Sequence, residues 1–389
     1  MPTDSPSRRV YLDYNSTTPL HPEALEAMLP YLKESYGNPS SAHWLGRKAR
    51  ARVEEARESV AALLGAAPQE IIFCSGGTES DNLAIKGAAW NHPPDGGWGV
   101  VTSAIEHSAV LKTVYHLSRN GYRSHVAMAD GLGMVDVEDV ADGMDDKTAL
   151  VSVMHSNNET GVIQPINEIA EIARSRGILC HTDAVQSAGK VRLDVRELGV
   201  DLLSISAHKL YGPKGVGALY VRRGVALHPL ITGGGHERGA RAGTENVSGI
   251  IGFGKACEIA AQKMDEDTKR ITALRDDLQK LILERIPSAI INGHPEKRLP
   301  NTLNVCLLPG EAEALMIRCD LAGVAVSAGS ACASGSIEPS HVLMAMGIPV
   351  KEALGSIRLS LGRETTREDL DYAAGILPKI VDEIRGAKI

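Results

Sequence analysis

The first two thirds of the chain alternate short β-rich runs with helical patterns. "EIIFCSG" precedes the helical "ESDNLAIKGAAW", "WGVVTSA" precedes "SAVLKTVYHLSRN", and "ALVSVMH" precedes "INEIAEIARSRG". The strand-like runs "ILCHTDA", "VDLLSISA" and "GVGALYV" follow. Strands that alternate with helices form a mostly parallel sheet covered on both faces. We therefore predict an α/β fold, in which ligands bind beyond the carboxyl ends of the strands.

A second α/β region follows the first. A long helical pattern starts near Glu245, and the strand-like runs "NTLNVCLL" and "SIRLSLG" come after it. We predict a large domain over residues 15–260 and a smaller domain formed by residues 1–14 and 261–389. A chain of 389 residues is long enough for both.

Composition excludes several function classes. The net charge of −7 and the 4% aromatic content argue against a nucleic-acid partner. No apolar run is long enough to cross a membrane, and "MPTDSPSRRV" lacks the apolar core of a secretory signal. We therefore expect a cytoplasmic protein without a membrane partner.

The cysteines are widely spaced and contain no C-x-x-C pair, which argues against a zinc site, and we predict no metal. A chain of this length does not need disulfides, so free thiols are expected. The six cysteines are Cys74, Cys180, Cys257, Cys306, Cys319 and Cys332.

The stretch "SISAHKLYGPKG" places Lys209 at the end of an apolar strand-like run, before a Gly-Pro turn. Taken alone, a lysine is most often a solvated surface charge. The alternative is a desolvated amine that attacks a carbonyl group. The ends of the other strands distinguish these two interpretations.

Polar groups follow four other predicted strands. Gly77 and Thr78 lie between a strand and a helix, which suits either a simple turn or an anion site at the helix N-terminus. Asp183 ends an apolar run, as a turn cap or as the partner of a cationic nitrogen, and Gln186 follows it. His107 and Asn158 follow two further strands, where structural roles are also common.

Together these groups supply what pyridoxal 5'-phosphate (PLP) requires. A lysine forms the Schiff base, an anion cradle holds the phosphate, and a buried carboxylate keeps the pyridine nitrogen protonated. The combination therefore favours the reactive interpretation of Lys209.

The chain closely resembles the NifS/IscS group of cysteine desulfurases, PLP enzymes of the class-V aminotransferase family. The matching stretches run in order from "VYLDYNSTTPLHPEA" to "SIRLSLGR" and include "SGGTESDNLAIKG", "HTDAVQSAGK", "GGGHERGARAGTEN" and "SAGSACASGS". The resemblance implies the aspartate-aminotransferase fold (fold type I), with a mostly parallel seven-stranded sheet in the large domain and a smaller C-terminal α/β domain.

The resemblance also assigns site residues. Lys209 would bond to the cofactor, Asp183 would pair with its ring nitrogen, and Gln186 with its phenolic oxygen. His107 would stack on the ring, and Asn158 would lie beside ring and substrate. The residues expected to hold the phosphate are Gly77, Thr78, Ser206, His208 and, from the other subunit of a homodimer, Thr244. Arg358 would bind the substrate carboxylate, with Asn38 nearby.

Cys332 lies in a run of Gly, Ala and Ser at about residues 327–336, a composition that suits a mobile loop. The resemblance makes it the nucleophile that receives sulfur from L-cysteine as a persulfide, leaving L-alanine. The sulfur would pass to an acceptor, either a scaffold of the IscU/NifU type for iron–sulfur cluster assembly or another thiolation protein.

Other functions stay open at this point. A selenocysteine lyase or another PLP-dependent aminotransferase-like enzyme is the closest alternative, although neither needs a dedicated sulfur-carrying cysteine. A non-catalytic sulfur-relay or assembly scaffold is an alternative of a different class. Such a scaffold would not need Lys209, Asp183 and His107 together, and it would be colourless when purified.

Overall fold

The computed structural model describes residues 8–308, 311–328 and 338–387. Its central feature is a seven-stranded sheet with the strand order β2-β8-β7-β6-β5-β3-β4. The strands are β2 (Ile71–Cys74), β3 (Gly99–Ser103), β4 (Arg123–Ala127), β5 (Thr148–Ser152), β6 (Leu179–Asp183), β7 (Leu202–Ser206) and β8 (Gly217–Val221). Only β8 runs antiparallel to its neighbours in this sheet, so the predicted mostly parallel seven-stranded sheet is confirmed.

The central strands read as continuous apolar runs because helices cover both faces of the sheet. Every residue of β3, β5 and β7 is buried. The helices of this part are α1 (Pro22–Lys33), α2 (Trp44–Leu64), α3 (Gly77–Ala89), α4 (Ser108–Arg119), α5 (Val137–Asp142), α6 (Ile166–Ser175), α7 (Val195–Leu198) and α8 (Val247–Arg285).

A second sheet lies in the C-terminal part of the chain. It is antiparallel, with the order β12-β10-β9, and it consists of β9 (Ile290–Asn292), β10 (Thr302–Cys306) and β12 (Ser356–Ser360). Near it, β1 (Val10–Tyr11) pairs in parallel with β11 (Val324–Ala325). The remaining helices are α9 (Ala312–Leu321), α10 (His341–Ala345), α11 (Val350–Leu354) and α12 (Arg367–Ala387).

The long helix α8 contributes to two hydrophobic cores. Its first half packs Ile250 and Phe253 into the core that includes β5 and β7. Its second half packs Leu278 and Ile282 into a separate core that includes β10, β12 and Leu12 from the N-terminal segment. The helix is continuous through residue 260, so the domain boundary predicted there falls inside a helix that both cores share.

Within the described ranges, none of the helices combines the length and the apolar character that crossing a membrane requires.

Candidate active site

One cavity of about 380 Å³ opens at the carboxyl ends of the parallel strands, as the fold class predicts. It brings together most of the residues that the sequence singled out. Those that line it are Gly77, Thr78, His107, Asn158, Asp183, Gln186, Ser206, His208, Lys209 and Arg358. These residues come from both sheets and from the segments that follow five strands of the larger sheet, namely β2, β3, β5, β6 and β7.

Lys209 ends a single 3₁₀ turn, Ala207–Lys209, that directly follows β7. Its Nζ donates hydrogen bonds to the main-chain oxygens of Asn15 (2.6 Å) and Ser16 (2.7 Å). Burial, and then the nearby Arg358 cation, lower the pKa of the Lys209 amine to about 8. A substantial fraction of this amine is therefore neutral, and hence nucleophilic, near neutral pH.

Asp183 is the last residue of β6, and its side chain is buried. Its Oδ1 accepts a hydrogen bond from the main-chain N–H of Val185 at 2.9 Å, which leaves Oδ2 for another partner. Burial raises the pKa of this carboxyl, whereas the main-chain N–H of Val185 and the nearby Lys209 amine favour its charged form. A cationic ring nitrogen in the cavity would stabilise that charge.

His107 caps the N-terminus of α4, which fixes its tautomer. Its Nδ1 accepts a hydrogen bond from the N–H of Ala109 at 3.1 Å, so the ring proton lies on Nε2. Burial lowers the pKa of His107, and the ring is neutral at neutral pH. A neutral planar ring at the cavity wall suits stacking on an aromatic ligand.

The anion cradle lies where β2 leads into α3. The helix begins at Gly77 and has no side-chain cap at Gly76, so its first N–H groups are available to a ligand. A Cβ on Gly77 would lie 2.7 Å from Cγ2 of Val185. Glycine is therefore required for this close approach, and Ser206 and His208 line the cavity with it.

Arg358 lies on β12, so the smaller sheet also contributes to the site. Its side chain donates to Asp13 Oδ1 (2.8 Å), Ser16 Oγ (2.8 Å) and the main-chain oxygen of Asn158 (2.9 Å). Its buried Nε has no hydrogen-bond partner among the described residues. The guanidinium thus keeps a donor for an anionic ligand.

Two predicted site residues lie outside this cavity. Asn38 is exposed, and its Oδ1 accepts a hydrogen bond from the N–H of Ser40. Thr244 is also exposed, in the segment between the 3₁₀ turn His236–Gly239 and α8. The single chain therefore does not bring Asn38 or Thr244 to the residues around Lys209.

Cys332 and most of its predicted loop, residues 327–336, lie outside the described residues. Ser327, at the start of that loop, lines the cavity, and it pairs with Arg358 through main-chain hydrogen bonds in both directions. The other five cysteines are buried, and burial raises the pKa of each thiol. None of these five is suited to act as a thiolate.

The structure adds residues that sequence reasoning missed. Asn15, Ser16, Asp81, Met154, Ser156 and Val185 also line the cavity. Asp81 is buried on α3, but in the sequence it lies among the polar residues Ser80 and Asn82, so no local signal marked it. Asn15 and Ser16 lie far from the other site residues in sequence and gave no local signal.

The cavity fits PLP by its chemistry: a reactive amine, a buried carboxylate, a neutral planar ring and an anion cradle surround one space. Fold and site thus define a PLP-dependent enzyme. The class-V aminotransferase family matches residues 10–373. The cysteine desulfurase IscS of Dictyoglomus turgidum is 51% identical over 97% of this chain and 96% of its own length.

Solved structures agree with this assignment. A NifS-like protein superposes with a TM-score of 0.91 and 40% identity, covering 97% of this chain and 100% of its own. A structure described as SspA in complex with cysteine has a TM-score of 0.81 and 37% identity, covering 90% and 98%. The chain belongs to the class-V aminotransferase family and, within it, to the PLP-dependent cysteine desulfurases. The predicted fold of this enzyme class is confirmed.

Proposed function

We propose that this cysteine desulfurase removes sulfur from L-cysteine, leaving L-alanine and a persulfide on Cys332, and passes that sulfur to an acceptor protein. The observation that carries the proposal is the convergence of Lys209, Asp183, His107 and Arg358 on one cavity. A sulfur-relay scaffold without catalysis would not need this set of groups.

The residues assigned to the cofactor have the chemistry that PLP needs. Bound PLP withdraws electrons from the Cα of an amino acid that is joined to it. Asp183 would pair with the ring nitrogen, His107 would stack on the ring, and Gln186 would contact the phenolic oxygen. The residues that would hold the phosphate from this chain are Gly77, Thr78, Ser206 and His208.

Lys209 supplies the amine that bonds to the cofactor and the base that moves a proton at Cα of the substrate. Both roles need the neutral amine, and a pKa of about 8 makes this form accessible. The carbonyl oxygens of Asn15 and Ser16 accept hydrogen bonds from the same nitrogen. They therefore hold the amine in place whether or not it carries the extra proton.

Arg358 would bind the substrate carboxylate. Asp13, Ser16 and the carbonyl of Asn158 fix the guanidinium, so little side-chain freedom is lost when the substrate binds. A relative that is 37% identical has been solved in complex with cysteine, which supports cysteine as the amino acid bound here. Asn38 stays a predicted second contact of the substrate.

Cys332 would take the sulfur. Its thiolate attacks the sulfur of the substrate, an S–S bond forms, and the Cβ–S bond breaks with its electron pair left on carbon. That carbon takes up a proton and becomes the methyl group of alanine. Ser327 lines the cavity, and the five residues from there to Cys332 span at most roughly 17 Å, so the cavity is within reach.

We further propose a cytoplasmic homodimer in which Thr244 completes the phosphate site of the partner subunit. Thr244 is exposed and lies outside the cavity of its own chain, as a residue that serves another subunit would. The five described cysteines are unpaired, which is typical of a reducing compartment. The acceptor would be an IscU/NifU-type scaffold for iron–sulfur cluster assembly or another thiolation protein.

The test is one turnover of cysteine without reductant, followed by peptide mass spectrometry. We expect one extra sulfur on the Cys332 peptide, removed by dithiothreitol, and equimolar alanine. Cys332→Ser should bind cysteine and change the cofactor spectrum but release no alanine, because a hydroxyl cannot form a persulfide. Cys319→Ser, the matched control, should behave as wild type. Extra sulfur on any of the other five cysteines would refute the assignment.

A further inference from the structure

A second lysine, Lys190, extends from the segment after β6 toward the cofactor site. Its Nζ donates hydrogen bonds to Gln186 Oε1 (3.1 Å) and to Asn15 Oδ1 (3.4 Å). Burial, and then the cations of Lys209 and Arg358, lower the pKa of this amine to about 7. In the described part of the chain, Lys190 forms no salt bridge with a carboxylate.

The position is costly for a lysine, because burying a cation without a counter-ion is unfavourable. Both partners of Lys190 are neutral amide oxygens. The reaction steps described above do not use it. Its side-chain hydrogen bonds go to Gln186 and Asn15, so these are the groups that it can orient.

Lys190 and Asn15 together determine which way the Gln186 carboxamide faces. The charged form of the Lys190 amine can only donate, so in that form it selects the oxygen of the Gln186 carboxamide as its partner. The main-chain oxygen of Asn15 is only an acceptor, and it receives a hydrogen bond from Gln186 Nε2 at 2.9 Å. The two contacts exclude the flipped amide, in which like groups would face each other.

The carboxamide nitrogen keeps one hydrogen for a ligand. It carries two hydrogens, and among the described residues only Asn15 O accepts one of them. Gln186 lines the cavity together with Asp183. A fixed N–H donor thus lies at the cavity wall, three residues after the carboxylate assigned to the ring nitrogen.

Asn15 is itself held firmly, which makes the arrangement rigid. Its Oδ1 also accepts a hydrogen bond from Asn301 (2.9 Å), and its Nδ2 donates to Thr302 Oγ1 (2.8 Å). Asn15 is 1% exposed. Lys190 therefore lies between two side chains that are each fixed by a second contact.

We propose that Lys190 is a positioning residue that holds the carboxamide of Gln186 with its N–H directed at the phenolic oxygen of PLP. This inference rests on the proposed function, in which Gln186 contacts that oxygen. An N–H donor draws electron density from the phenolic oxygen and lowers the proton affinity of the neighbouring nitrogen that joins Lys209 to the cofactor. The pH at which the bound cofactor changes colour is therefore the quantity that Lys190 controls.

The experiment is a double-mutant cycle on the PLP-loaded protein, with the colour change followed by absorption against pH. Lys190→Met removes the donor but keeps the length of the side chain. We expect the midpoint of the colour change to rise by about one pH unit, which is a tenfold gain in the proton affinity of the cofactor nitrogen. Gln186→Ala should raise the midpoint by a similar amount. The double variant should shift no further than Gln186→Ala alone, because Lys190 acts through Gln186. Lys379→Met, an exposed lysine on α12, is the control and should leave the midpoint unchanged.

Lys190→Met should fold, because it removes a buried charge that has no counter-ion. Lys190→Leu repeats the test with a differently shaped apolar side chain, and thermal unfolding of the apoproteins checks both. An unchanged midpoint in the variants, or shifts that add in the double variant, would overturn the inference. Failure of the wild-type protein to bind PLP would instead overturn the proposed function, so the two failures are distinguishable.

Discussion

The amine of Lys209 and the main-chain oxygen of Asn15 are 2.6 Å apart, although 194 residues separate them in sequence. The main-chain N–H of Asn15 in turn donates to Ser360 Oγ on β12 (2.9 Å). The N-terminal segment therefore joins the end of β7 to the smaller sheet. This junction places Lys209 close to Arg358. The positive charge of Arg358 therefore lowers the pKa of the Lys209 amine.

The first prediction concerns the nucleophilicity of Lys209. In the apoprotein, the rate of PLP incorporation should rise with pH through a midpoint of about 8, because only the neutral amine reacts. Arg358→Met should move this midpoint upward, since it removes a cation that lowers the pKa of Lys209. Arg385→Met, an exposed arginine on α12, should leave it unchanged.

Borohydride reduction identifies the amine that reacts in this experiment. The reduced cofactor should be found by peptide mapping on Lys209 and should be absent from Lys209→Ala. Label on Lys190, whose amine contacts Gln186 and Asn15, would contradict the assignment. A midpoint near the ordinary lysine pKa of about 10.4 would contradict the burial of the amine.

Sequence periodicity predicted the buried strands well, and the reason is physical. Strands β3, β5 and β7 are covered on both faces, so their residues are almost uniformly apolar or small. The edge strand β4 was missed because "RSHVA" is polar and largely exposed. An edge strand is defined by its neighbour, here β3, rather than by its own composition.

The residues of the site also divide into those that the sequence predicted and those that it did not. Asp183 ends β6, and Lys209 and His107 lie within four residues of the ends of β7 and β3. The strand ends of a parallel sheet meet at one edge. Asn15 contributes mainly a backbone oxygen and a side chain held by β10. Because any residue has a main-chain oxygen, the asparagine at position 15 does not predict these hydrogen bonds with Gln186 and Lys209. Lys190 ends the matching motif "HTDAVQSAGK", but its proposed role depends on a contact with Gln186 that only the folded chain shows.

The second prediction concerns the buried ion pair between Arg57 and Glu237. Both side chains are 2% exposed, and the guanidinium donates to both carboxylate oxygens of Glu237, at 2.8 and 2.9 Å. Glu237 Oε2 also accepts from the main-chain N–H of Phe73 (2.9 Å). Arg57→Met would leave this carboxylate buried without its cation. We expect the free energy of unfolding to fall by about 3–5 kcal/mol.

Urea unfolding at fixed protein and PLP concentrations measures this loss. Arg52→Met is the matched control on the same helix, because Arg52 pairs with Glu55 at the exposed surface. It should change the free energy of unfolding by no more than roughly 1 kcal/mol. Equal effects of the two variants would show that the buried pair does not hold the His236–Gly239 turn in place.

The third prediction concerns Thr244, which follows that turn. If Thr244 serves the phosphate site of the partner subunit, Lys209→Ala and Thr244→Ala homodimers should each be inactive at limiting PLP. In a hybrid dimer, the Thr244→Ala subunit still has its own Lys209, and the Lys209→Ala subunit lends it an intact Thr244. One of the two sites is then complete. Random mixing at equal amounts should restore roughly a quarter of the wild-type activity, because half of the dimers are hybrids.

Differently tagged subunits allow the hybrids to be purified and their cofactor content to be counted. Each hybrid should bind one PLP tightly and show half of the wild-type activity per dimer. Lys209→Ala subunits mixed with one another are the control and should stay inactive. Verified hybrids that recover nothing would show that Thr244 acts within its own chain or outside the site. Thr244 is exposed and lies outside the cavity of its own subunit. Recovery of activity in the hybrids would therefore show that Thr244 acts in the site of the partner, and that the dimer is the smallest catalytic unit.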